Sequence, residues 1–79
     1  MIKLDNITIK ENIIMCDIYP EDSIKKGILK VDFTTKEILE YTLPENYEYC
    51  KNHISHAKNN LLEMIESGTI LRTKTIMWY

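Results

Sequence analysis

Residues 46–67 read NYEYCKNHISHAKNNLLEMIES, and the fold turns on how this stretch is read. Apolar side chains fall at Tyr47, Cys50, Ile54, Ala57, Leu61, Met64 and Ile65, with steps of three, four, three, four and three as far as Met64. At about 100° per residue these positions form one stripe, the pattern of an amphipathic helix lying on a core. Lys51, Asn52, Lys58, Asn59, Glu63 and Glu66 fall mostly away from that stripe. No Gly or Pro interrupts the run. Pro44 is compatible with a first helical turn, where its missing N–H has no partner to lose. Thr42 and Glu45 have capping-box spacing, and Asn46 is a rival N-cap. Gly68 is the expected stop, because glycine enters the left-handed conformation without a Cβ clash. Such a helix is about 30 Å long at 1.5 Å per residue, enough to cross a small sheet.

Outside this stretch the chain reads as strands. Residues 2–9 alternate but change phase, with Ile2 and Leu4 on one parity and Ile7 and Ile9 on the other. A strand cannot move its buried face without a bulge, so a break is expected near Asp5 and Asn6. Lys10-Glu11-Asn12 reads as a turn, and residues 13–19 as a second strand with Ile14, Cys16 and Ile18 on one face. Pro20-Glu21-Asp22-Ser23 is turn chemistry. Residues 28–33 and 38–43 form a second hairpin, with Leu29, Val31 and Phe33 toward the helix. Residues 73–79, rich in Thr, Ile, Trp and Tyr, suit a fifth strand.

Connection lengths determine the topology. Strands one to four form an antiparallel meander. A helix that carries the chain back across the sheet leaves strand five antiparallel to strand one. The expected fold is therefore α+β: a five-stranded antiparallel sheet, ββββαβ in order 4-3-2-1-5, with one long helix on one face. Pairing of strand five with strand four is the alternative and needs a parallel crossover. The 79 residues are read as a single domain, residues 1–79, with no repeat or linker.

Composition narrows the function. Net charge is −2. Residues 1–44 carry six Lys against eight Asp and Glu, and the remainder three Lys and Arg72 against four Glu. Neither half is a basic patch, so no nucleic-acid partner is expected. No apolar run approaches the ~20 residues that span a bilayer, and no secretory signature opens the chain. The reading is a cytoplasmic protein with no membrane partner. Cys16 and Cys50 are then read as free buried thiols.

Several motifs, Tyr19-Pro20-Glu21-Asp22, Lys26-Gly27, Val31-Asp32, Ser55-His56-Ala57 and Met77-Trp78-Tyr79, resemble those of a family of small uncharacterised single-domain proteins of low-GC bacteria. The resemblance spans nearly the whole chain. It implies a stand-alone domain and carries over no catalytic residue.

Chemistry-bearing residues are few. Cys50, His53 and His56 step by three along the helix and are natural zinc ligands. However, Cys50 sits in the apolar stripe, His53 at its edge and His56 off it, so the three fan apart. Ser55 and His56 are helix neighbours about 100° apart and do not make a nucleophile–base pair. With only Gly27 and Gly68, no phosphate-cradling loop exists. Asp17 and Asp32, outward on adjacent strands, are a candidate carboxylate pair, read as part of a solvated sheet face. The expectation is a protein that is not an enzyme and uses no cofactor or metal.

What stands out is apolar surface. A single helix covers one face of the sheet, which leaves Met15, Tyr19, Ile28 and Ile38 on the open face. Trp78 and Tyr79 close the sequence with aromatic bulk that needs a partner surface. Exposed apolar patches of this kind mark interaction sites. The expected function is a protein-interaction or accessory domain, self-associating as a homodimer or binding another bacterial protein, with Trp78 as anchor. The alternative is a metal- or small-ligand-binding protein that uses His53 and His56.

Overall fold

The alternating stretches form strands, and the three-four stretch forms the helix. A computed structural model describes residues 1–77, so Trp78 and Tyr79, and whatever is expected of them, lie outside the described residues. The elements are β1 (Ile2–Lys10), β2 (Ile13–Pro20), β3 (Gly27–Asp32), β4 (Glu37–Thr42), α1 (Lys51–Ser67) and β5 (Lys74–Ile76). They build one antiparallel sheet in the order β4-β3-β2-β1-β5, as the connection lengths require.

The phase change in β1 is a bulge. Pairing with β2 runs from Ile2 opposite Pro20 to Asp5 opposite Asp17, then resumes with Thr8 opposite Met15. Asn6 absorbs the extra residue by adopting a left-handed φ of 51°. Ile7 can then follow Ile2 and Leu4 into the core, and its N–H donates to the Arg72 carbonyl at 3.0 Å. In β2 the alternation is regular, with Ile14, Cys16 and Ile18 buried between half-buried neighbours. Leu29 and Val31 of β3 and Ile76 of β5 complete the inner face of the sheet. Ile54, Ala57, Leu61 and Met64 of α1 meet it, and the helix approaches β1 and β3 most closely. Each buried large aliphatic side chain stabilises the fold by about 1.5–3 kcal/mol.

The helix ends as expected. Gly68 has φ 75°, and its N–H reaches the Met64 carbonyl at 3.0 Å. Its start differs from the sequence reading. The first helical residue is Lys51, not Asn46, and none of Thr42, Glu45 and Asn46 acts as the cap. The N-cap position belongs to Cys50, which makes no capping bond through its side chain. Asn46 instead takes a left-handed φ of 72° and breaks the path. Two tight turns follow, Tyr47 N–H to the Pro44 carbonyl at 3.0 Å and Cys50 N–H to the Tyr47 carbonyl at 2.9 Å. The Thr42 hydroxyl accepts from the Ile28 N–H at 3.1 Å, which removes it from any capping box. The helix has 17 residues, about 25 Å at 1.5 Å per residue.

A second bulge lies in β4. Lys30 faces Glu40 but Val31 faces Ile38, so Leu39 is the extra residue. This corrects the reading of Ile38. Opposite partners share a face, and Val31 is fully buried, so Ile38 turns toward the core and packs against it. Ile38 does not belong to the open face.

Candidate functional surfaces

The open face of the sheet carries Met15, Tyr19 and Ile28, as expected, but none of them is freely exposed. Each is half-buried beneath polar neighbours. Met15 lies opposite Thr8 and Lys30, and Ile28 opposite Asp17 and Thr42. Lys30 Nζ is 3.9 Å from Glu40 and Lys26 Nζ 3.5 Å from Asp17. Lys3 Nζ stands 5.9 Å above the Tyr19 ring, opposite it across the β1–β2 pair. The long stems of these lysines cover apolar surface while their charged heads stay in water. A shallow hollow of 260 Å³ lies between Met15, Ile28 and Lys30.

Asp17 and Asp32 share this face without meeting. Asp17 lies opposite Ile28, while Asp32 lies opposite Ile13 at the far end of β2. The residue across from Asp17 on β1 is Asp5, and Asn6 Nδ2 donates to Asp17 Oδ2 at 2.8 Å. Asp32 organises a turn. Its Oδ1 accepts from the Thr34 hydroxyl at 2.6 Å and the Thr34 N–H at 2.9 Å, and its Oδ2 from Asn12 at 2.8 Å. The Thr34 hydroxyl and amide hold this carboxyl below the usual aspartate range. Hydrogen bonds to the charged form have that effect.

Exposed apolar surface lies elsewhere. β4 is an edge strand. One side pairs with β3, and the other has no strand partner among the described residues. Five of its six residues are exposed, Leu39 at 51% and Tyr41 at 42%. Tyr41 lies opposite buried Leu29, so it stands on the helix side of the sheet. Phe33, Ile38 and Leu43 pack against the core on the same border and stay half-buried. β5, at the opposite edge, has only three residues.

One end of the molecule carries a polar clamp that the sequence reading did not identify. Glu21 follows β2 with φ 51°. Its Oε1 lies 2.7 Å from His53 Nε2, in the first turn of α1, and 3.2 Å from the Met1 α-amino group. The bond to His53 and then that to the amine pull this carboxyl below the usual glutamate range. Alongside, the Tyr47 hydroxyl donates to Asp22 Oδ1 at 2.7 Å, a bond that raises the Tyr47 pKa, and Lys25 Nζ is 3.8 Å from Glu45. The Tyr47 and Tyr49 rings stack at 6.2 Å. Ile24, at the tip of the β2–β3 loop, is 92% exposed. A hollow of 520 Å³ opens beside Lys3, Tyr19, Glu21 and Ile24. The signal for the clamp lay in Pro20-Glu21-Asp22, where a turn puts two carboxylates beside whatever packs on the strand end.

The helix residues singled out for chemistry separate accordingly. Cys50 is fully buried, and burial pushes its thiol up. Such a thiol is a poor nucleophile and a poor ligand. His53 is taken up by Glu21, and Ser55 is exposed beside half-buried His56. Among the described residues no group of three or more His, Cys, Asp or Glu is placed to hold a metal ion. No described helix is long and apolar enough to cross a membrane.

Fold and surfaces together define a small α+β domain with a covered core, a lysine-screened open face and an apolar sheet edge. No family model, curated protein or solved structure matches the chain.

Proposed function

We propose that this protein is a non-catalytic interaction domain that associates with itself through an edge of its sheet. The observation that carries the reading is the exposure of Leu39 and Tyr41 on β4, a strand with one side unpaired among the described residues. Unpaired strand N–H and C=O groups are a template for another extended chain, and apolar side chains beside them add burial to the pairing. The open face offers less, because the heads and stems of Lys3, Lys26 and Lys30 screen Met15, Tyr19 and Ile28.

Charge substitutions on the two surfaces test this reading. Sedimentation of the wild-type chain should report a mass that rises with concentration. Leu39→Lys should abolish that rise, and Ile28→Lys on the open face should leave it. Loss of association in Ile28→Lys with retention in Leu39→Lys would move the interface to the open face.

A second reading, ligand binding at the His53 end, has one observation in its favour: Glu21, bonded to His53, borders the 520 Å³ hollow. It predicts histidine resonances that move on addition of zinc or a small cation while the mass stays constant.

A further inference from the structure

We infer that β4 pairs antiparallel with β4 of a second copy about a two-fold axis through Glu40, joining two five-stranded sheets into one of ten. The inference rests on the self-association reading above and adds its occupant and register. An edge strand accepts only extended backbone, and a homodimer sets one patch against itself. The pattern of β4 is self-complementary about one residue. Exposed Leu39 and exposed Tyr41 flank Glu40 on either side. An axis through Glu40 sets Leu39 against Tyr41 of the second copy, twice, and the bulge ends regular pairing before Ile38. Apolar–aromatic pairs across strands stabilise a sheet. Moving the axis half a step sets Leu39 against Glu40. Moving it to Leu39 sets Ile38 against Glu40 and Tyr41 against Glu37. Only the axis on Glu40 keeps both apolar side chains with apolar mates.

A two-fold axis normal to the sheet keeps the two core faces on the same side. Tyr41 lies on that side, so the half-buried borders at Ile38 and Leu43 of the two copies adjoin. The bulge at Leu39 limits regular pairing to a short segment, in keeping with an edge that is not open to indiscriminate extension. The cost falls on the axis, where two Glu40 carboxylates meet. Each has Lys30 of its own chain 3.9 Å away, so two ammonium groups attend the pair.

Cysteine cross-linking tests the register. The native thiols Cys16 and Cys50 are buried, so the background is low. In the full chain, Glu40→Cys oxidised with copper–phenanthroline should give a disulfide-linked dimer, and Thr42→Cys, two residues off the axis, far less. Glu40→Gln should lower the dissociation constant by up to about fivefold, the effect of removing a like-charge cross-strand pair. Both residues are exposed, and circular dichroism of each variant checks that it folds. A wild-type dimer whose Glu40→Cys variant does not cross-link in preference to Thr42→Cys overturns the register and leaves self-association standing. A wild-type chain that is monomeric at every concentration overturns both.

Discussion

His53 Nε2 sits 2.7 Å from Glu21 Oε1, joining the first turn of α1 to the loop after β2 across 32 residues of sequence. The bond makes the end of the molecule sensitive to protons. Glu21 and Asp32 both have folded pKa values below those of the unfolded chain. A carboxyl with a lowered folded value contributes stability above its unfolded pKa, and that contribution is lost as pH falls through the folded value. Thermal midpoints measured from neutrality down to about pH 3 should therefore fall on the acid side of the ordinary carboxylate range. Glu21→Gln should flatten part of that decline, and an unchanged slope in this variant would remove the clamp from the account.

The two cysteines should be silent in the native state. Cys16 is buried with its thiol pushed up to about 12, by burial first and the Asp17 charge second. Cys50 is fully buried with its thiol also raised. Reactivity requires thiolate and access, so an aromatic disulfide reagent should label neither at neutral pH and both in denaturant. Rapid labelling of one thiol in the native protein would show that its element opens.

The two glycines do different work, and their variants should separate the causes. A Cβ at Gly27 would strike the Thr42 carbonyl oxygen and come within 3.2 Å of Ile18 Cγ1. Gly27→Ala forces β3 and β4 apart at a cost of about 1–3 kcal/mol, as overpacking does elsewhere. At Gly68 nothing lies within 4 Å, and only the φ of 75° opposes a side chain. Gly68→Ala should cost about 1 kcal/mol, and Gly68→Asn less, because asparagine tolerates the left-handed region. Denaturant midpoints of the three variants read the difference directly.

With so few glycines, ordinary residues occupy left-handed positions. Among the described residues these are Asn6, Glu11, Glu21, Lys36 and Asn46. Lys36, at φ 62° in the β3–β4 turn, pays the steric penalty of its Cβ without an asparagine's tolerance. Lys36→Gly should stabilise the protein by about 1 kcal/mol or less, since the gain is offset by the entropy of an unfolded glycine. Asn46→Gly should change little. Equal effects at the two sites would contradict the steric explanation.

These residues also mark what the sequence made legible. The sheet order could be read because alternation in β2 and β3 is regular and the loops are short. The bulge in β1 could be read because Leu4 and Ile7 fall on opposite parities, and only an extra residue brings both inside. The bulge in β4 could not, because Ile38 and Tyr41 are both apolar enough to look correct on either face of an unbroken strand. Taking β4 as regular put Ile38 outside, whereas the structure puts it against Val31. The helix start was missed for a similar reason. Asn46 is a favoured cap residue and also a favoured left-handed one, and only packing of the turn around Tyr47 and Asp22 decides between them. The apolar surface was sought on the open face because its screening depends on lysine stems, whose placement across strands follows from register alone.

The interaction-domain reading and the β4 register both depend on the chain meeting itself. Light scattering across a wide dilution series measures that most directly. The account predicts a mass of two chains at high concentration that falls toward one chain on dilution. A mass of one chain throughout would contradict it.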